Sequence, residues 1–206
     1  MSEHGRRVPA GRAGRLRLRR SLATALRGSD LLDRKLRLLL DREGAERRAA
    51  EEAGRVWRER LAEAESWLVR GVMLGGEQAL AEAVPADQAS VEVEWDALMG
   101  ARHPAAVAWT GPVRSPAEPT PSNTALEHAE TAYRAAVRAA ADHAAHRSAA
   151  ELLAAEAART RQRVRALRHH WIPRLRGDLA AVELALEEAE HEEAVRRRWA
   201  ATHGAA

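Results

Sequence analysis

The chain places small or apolar residues at alternating gaps of four and three along Leu18, Leu22, Ala25, Ser29, Leu32, Leu36 and Leu39. A mean spacing of 3.5 residues keeps such a stripe on one helix face only if the helix supercoils left-handedly around a partner. This repeat therefore demands a second helix, because one helix cannot bury its own seam. The stripe weakens at Glu43 and Glu46 and resumes through Ala50, Ala53, Trp57, Ala64 and Trp67. Gly44 and Gly54 lie inside this stretch. Each costs about 1 kcal/mol relative to alanine in a helix interior, without changing the phase.

A matching stripe exists near the other end. Val164, Leu167, Trp171, Leu175, Leu179, Val182 and Leu186 follow a similar spacing, after a stretch whose close-packing face is nearly all alanine. The composition agrees with long helices: no Phe, one Tyr, 31% charged residues and an abundance of Ala, Arg, Glu and Leu. Between the two stripes the character changes. Six of the eight prolines fall at Pro85, Pro104, Pro112, Pro116, Pro119 and Pro121. "VEVEW" (91–95) alternates like a half-buried strand, "MGARHP" supplies turn residues, and "AAVAW" (105–109) can form a second short strand. Asn123 or Thr124 is placed to cap the next helix, with Glu127 at capping-box spacing from Thr124. The predicted fold is all-α: a long antiparallel two-helix coiled coil, with a helix over 12–82, a small head with a β-hairpin over 83–122, and a second helix over 123–200.

Charge is unevenly distributed around a formal net of +3. Residues 1–28 hold eight arginines and one acid, Glu3, whereas 183–193 hold six glutamates and no Lys or Arg. Antiparallel packing brings these runs together, and mutual neutralisation explains both. An arginine-rich arm is also an electrostatic footprint for nucleic acid, so a basic coiled coil that binds nucleic acid is the alternative reading. Against it, the arm lacks interleaved aromatics, and Leu16, Leu18 and Leu22 are spaced for helix packing.

Several chemistries lack their residues. With no Cys there is neither a disulfide framework nor a thiolate nucleophile. The only lysine, Lys35, is followed by Leu36 within the helical repeat, and "LGGEQAL" (74–80) has no cation, so no phosphate-binding loop is present. Glu188 and His191 form one Glu-x-x-His pair where a di-iron bundle needs two, and His143 with His146 has only Asp142 nearby in sequence. No catalytic, cofactor-binding or metal residues are assigned. The longest stretch free of Asp, Glu, Lys and Arg, His103 to Val113, is about half of the roughly 20 residues a membrane helix needs.

Three segments resemble the D subunit of V-type (V/A-type) ATPases, the central rotor shaft. "GRLRLRRSLATALRGSDLLDRKLRLLL" is similar to that family's opening helix, including Gly28 and the Leu31, Leu32, Lys35 segment. "VEVEWDALMGARHP" resembles its middle strand followed by Met-Gly and Pro. The most specific match is Thr160, Arg163, Val164, Ala166 and Leu167, then Ile172, Pro173, Arg174 and Leu175. The chain departs from the family pattern at "PAGR" near its start, at Arg165 and at Gly177. The resemblance implies a non-catalytic component whose paired terminal helices turn inside a hexamer of A and B subunits. It also implies that the F subunit and a membrane-side cup subunit (C/d) bind the head and lower coil. In that setting the basic excess makes Arg12, Arg15, Arg19, Arg20, Arg196, Arg197 and Arg198 the candidate contacts with the hexamer.

"RHHWIPRLR" (168–176) tests the second helix. Val164 and Val182 share a face across it, so the sequence predicts one helix passing through Pro173, bent where the proline removes a backbone bond, with a stutter from Trp171 to Leu175 to Leu179.

Overall fold

The computed structural model describes residues 11–85 and 87–203. Part of the basic segment, Arg6 and Arg7 with Glu3, lies outside them. The order is helix α1 (Gly11–Ala83), strands β1 (Ser90–Leu98) and β2 (Ala101–Thr110), helix α2 (Thr124–Ala166), a π-helical turn (Leu167–Trp171) and helix α3 (Ile172–His203). The all-α architecture with one small antiparallel hairpin is as the sequence implies. The chain forms two compact units, one from α1 up to Leu36 with the chain from Arg159, the other from Arg37 to Ala158.

In the first unit, α1 packs antiparallel to α3: Arg12 pairs with Glu190, Arg19 with Glu183, and Ser29 accepts a hydrogen bond from Arg168. Leu18, Ala25, Ile172, Leu175 and Val182 form its core, with Leu22, Leu179 and Leu186 packed against them. In the second unit the seam on α2 repeats every four and three residues through Ala125, Ala129, Ala132, Ala136 and Ala139, all buried. Small side chains let the helix backbones approach closely. A Cβ on Gly71 would sit 2.5 Å from Leu126 Cδ2, and one on Gly54 would sit 3.0 Å from the His143 ring.

Helix α1 is broken once, at Gly76 (φ 72°, ψ −178°), a backbone conformation that suits glycine because it lacks a Cβ. The start of α2 is fixed by Asn123, whose Oδ1 accepts from the Leu126 N–H (3.0 Å), so Asn123 rather than Thr124 is the cap. Its Nδ2 also donates to the Gly71 carbonyl (3.3 Å), tying the cap to α1.

The hairpin is longer than the sequence suggests. Met99 and Gly100, both at positive φ, form a two-residue turn, and Ala101 to Pro104 belong to β2 rather than to a loop. Pro104 is accommodated because the register shifts there: Glu94 opposes Ala106 and Trp95 opposes Pro104, leaving Ala105 as the extra residue of a bulge. The alternation in β1 does not produce half-burial. Val91, Val93 and Trp95 are all exposed, since a two-stranded sheet has no layer of its own to cover that face.

Arg114 anchors the end of the head. It donates to the Ala83 carbonyl at the end of α1 (2.6 Å), to the Pro119 carbonyl (2.8 Å) and to Glu130 of α2 (2.8 Å). Asp87 accepts from the Val113 and Gln88 N–H groups, and the Val113 bond foremost holds its carboxyl below the usual range. Partial burial pushes the Glu130 carboxyl up. Hydrogen bonds from Arg134 and Arg114, with their charges, outweigh that and hold it lower than an ordinary glutamate. A lowered folded-state pKa stabilises at neutral pH, and that stabilisation is lost as pH falls through the lowered value. Glu130→Gln should therefore reduce the thermal midpoint at pH 7, and the deficit should close as the pH is taken below about 4. Thermal melts followed by circular dichroism across that range check this.

Candidate functional surfaces

The seam residues named from the sequence are placed in two classes. Leu18, Leu175, Val164 and Val182 are buried, and Leu22, Leu32, Leu36, Leu167, Leu179 and Leu186 are partly buried. Trp171 is the correction: it is 44% exposed, and its neighbour Ile172 takes the seam position at 5%. The cause is the π-turn. The Ile172 N–H bonds to the Leu167 carbonyl five residues back, so the helix absorbs one extra residue, which turns Trp171 out of the seam and leaves Leu175, Leu179, Val182 and Leu186 in it. The helix passes through Pro173 without a loop, as the sequence implies, but by widening a turn rather than through a stutter. Pro173 directly follows the π-turn, where it removes one backbone bond from the continuing helix. His169 and His170 are both exposed.

The arginine set divides by partner. Arg12 and Arg19 pair across the seam with Glu190 (3.0 Å) and Glu183 (2.5 Å), the mutual neutralisation expected from the two charge runs. Arg196 and Arg197 pair one turn back on their own helix with Glu192 (2.9 Å) and Glu193 (2.5 Å). Among the described residues, Arg15, Arg20 and Arg198 show no carboxylate partner. Of the seven, these three have charge left for another molecule. The pairing of Arg12 and Arg19 also reduces the basic excess on which a nucleic-acid reading rests.

A polar layer in the second unit was only half visible in the sequence. Glu43 and Glu46 do not interrupt the α1 seam; they occupy it, and both are buried. On α2 the facing seam positions are His143 and His146. The His146 Nδ1 donates to Glu46 (2.7 Å), which also forms an ion pair with Arg42 (2.8 Å), while Arg47 covers Glu43. His143 Nδ1 lies 2.9 Å from the Ala50 carbonyl, which only accepts, so that nitrogen carries the proton. Its ring stacks on Trp57 at 5.7 Å. The missed signal was spacing: Ala139, His143, His146 and Ala150 continue the four-three repeat of α2, so both histidines were seam residues from the start.

A shallow groove of about 470 Å³ beside this layer is lined by Glu43, Arg47, Gly54, Arg58, His143 and Arg147, among others. Its polar groups largely bond to one another, as with Arg147 and Glu151 at 2.9 Å. Among the described residues no cluster of three or more His, Asp or Glu side chains converges as a metal site. Within the same limits, no helix is long and apolar enough to cross a membrane.

The sequence model of the family that comprises the D subunit of ATP synthases matches residues 15–202. A comparison with curated proteins gave no match.

Glu46 relies on His146 and Arg42 for compensation in a buried position, so removing one partner should cost more than removing the pair. His146→Leu is expected to destabilise the chain by about 1–2 kcal/mol, and Glu46→Leu/His146→Leu to recover most of that loss. Denaturant unfolding of the two single variants and the double variant gives the coupling. An additive double variant would rule out the pairing.

Proposed function

The chain belongs to the family of ATP synthase D subunits, stalk components of rotary ATPase complexes, and we propose that it is the central rotor shaft of a V-type (V/A-type) ATPase. The observation that carries this reading is the family match over residues 15–202, a span that takes in both seams and the hairpin between them. In this reading the segments 12–82 and 123–200 form the shaft and 83–122 its head. The termini stand in the cavity of a hexamer of A and B subunits, where ATP is turned over. The F subunit and the membrane-side cup subunit (C/d) hold the head and lower coil. The complex lies on the cytoplasmic side of the membrane, and rotation of the shaft couples ATP hydrolysis or synthesis to passage of protons or sodium ions through the membrane sector. The chain itself binds no nucleotide.

The physical chemistry supports this role. Torque is better carried by two helices locked along a continuous seam than by a single helix, which bends easily. A part that turns in a sleeve also needs a charged outer face whose contacts can exchange. Arg15 and Arg20 supply such charges near one end of the coil, and Arg198 adds another on α3.

Reconstitution with A, B and F subunits tests the assignment. Coupled ATP hydrolysis should require this chain, and the isolated chain should show none; hydrolysis indifferent to its presence would overturn the reading. Within that complex, Arg15→Glu/Arg20→Glu should slow coupled turnover by about fivefold or more, without lowering the thermal midpoint of the free chain. Arg12→Gln/Arg19→Gln should do the converse, lowering the midpoint slightly, since exposed pairs contribute about 0–1 kcal/mol each.

A further inference from the structure

On the C-terminal side of the coil the seam runs Ala125, Ala129, Ala132, Ala136, Ala139, His143, His146, Ala150, Leu153, Ala157, Thr160, Val164 and Leu167, alternating four and three without a fault. It then runs Ile172, Leu175, Leu179, Val182 and Leu186, again alternating three and four. The one irregular step is Leu167 to Ile172, five residues where four would keep the phase. Those are the same two residues joined by the five-residue hydrogen bond of the π-turn. The seam of α1 that faces this region, Leu18 to Leu36, has no matching insertion.

A proline by itself removes one bond and bends a helix; it does not call for an added residue in the seam. A skipped residue does call for one turn to be widened, and a π-turn is the smallest widening available. The wider turn bonds less well, and none of its five residues is fully buried: besides its own backbone and the partly buried Leu167, one polar side chain ties it to α1. That side chain is Arg168, on the turn itself, which donates from Nε to the buried Ser29 hydroxyl (3.1 Å) and pairs with Asp33 of α1.

We propose that the π-turn at Leu167–Trp171 is a built-in point of local opening, created by a one-residue skip in the seam rather than by Pro173 and latched to α1 by Arg168. The inference concerns the chain alone and does not depend on the rotor assignment.

Amide hydrogen exchange of the full chain, read by mass spectrometry, tests it. In the unaltered protein, amides 167–172 should exchange about tenfold faster than those of 160–165 and 175–181. Pro173→Ala should leave that fast segment in place. Deleting His170 in the Pro173→Ala background restores a four-residue step from Leu167 to Ile172, and should slow the segment by about tenfold. Arg168→Ala should speed it by about threefold or more, without changing 175–186. The proposal is overturned if Pro173→Ala alone confers the protection, if the deletion fails to confer it, or if Arg168→Ala leaves the segment unchanged. Loss of helical signal in the deletion variant also counts against it, because an uninterrupted repeat must pack at least as well.

Discussion

Everything in this protein depends on one constraint: a helix whose apolar stripe repeats every 3.5 residues has to be covered by another helix with the same repeat. Both stripes lie on one chain, separated by a segment rich in prolines, so the covering helix arrives antiparallel. That direction sets Arg12 against Glu190 and Arg19 against Glu183, and it also sets Glu46 against His146. The two kinds of pair differ in energy. The exposed arginine pairs are screened by water and contribute little, whereas buried Glu46 must keep its partners. The polar layer thus disfavours registers that would leave a carboxylate in the seam facing alanine.

The head shows how a two-stranded hairpin is held where it cannot supply its own core. Its ends are fixed by polar ties rather than by burial: Asp87 to Val113, and Arg114 to the last carbonyl of α1 and to Glu130. The strands themselves carry an uncovered apolar face at Val91, Val93 and Trp95. The close approaches at Gly71 and Gly75 lie next to the Asn123 cap, so the end of α1 and the start of α2 leave little room there for larger side chains.

Much of this was legible in the residues. Long helices, the hairpin between them and a capping residue at 123 or 124 all follow from local spacing and composition, because each depends on neighbours a few positions away; the Arg12–Glu190 and Arg19–Glu183 pairs follow from the antiparallel direction instead. The seam is less legible where its residues are polar. Glu43, Glu46, His143 and His146 kept the period but not the hydrophobicity, and a reading that looks for apolar residues passes over them. Arg114 left a fainter signal, a lone cation between Arg102 and Glu118 in a proline-rich stretch. Two of its three partners, Ala83 and Glu130, lie far from it in sequence.

Around Pro173 the division is sharpest. The sequence by itself determined that the helix continues there, because the seam keeps its repeat on both sides of the proline. Which residue faces inward was decided only by the tertiary structure. Trp171 keeps the four-residue step from Leu167 and Ile172 keeps the three-residue step to Leu175, so the repeat favours each from one side and local propensity does not choose between them. The choice belongs to the facing helix: α1 offers a fixed row of sites, the regular run from Ile172 onward has to match it, and a single widened turn settles the difference, leaving Trp171 outside and Ile172 in the core.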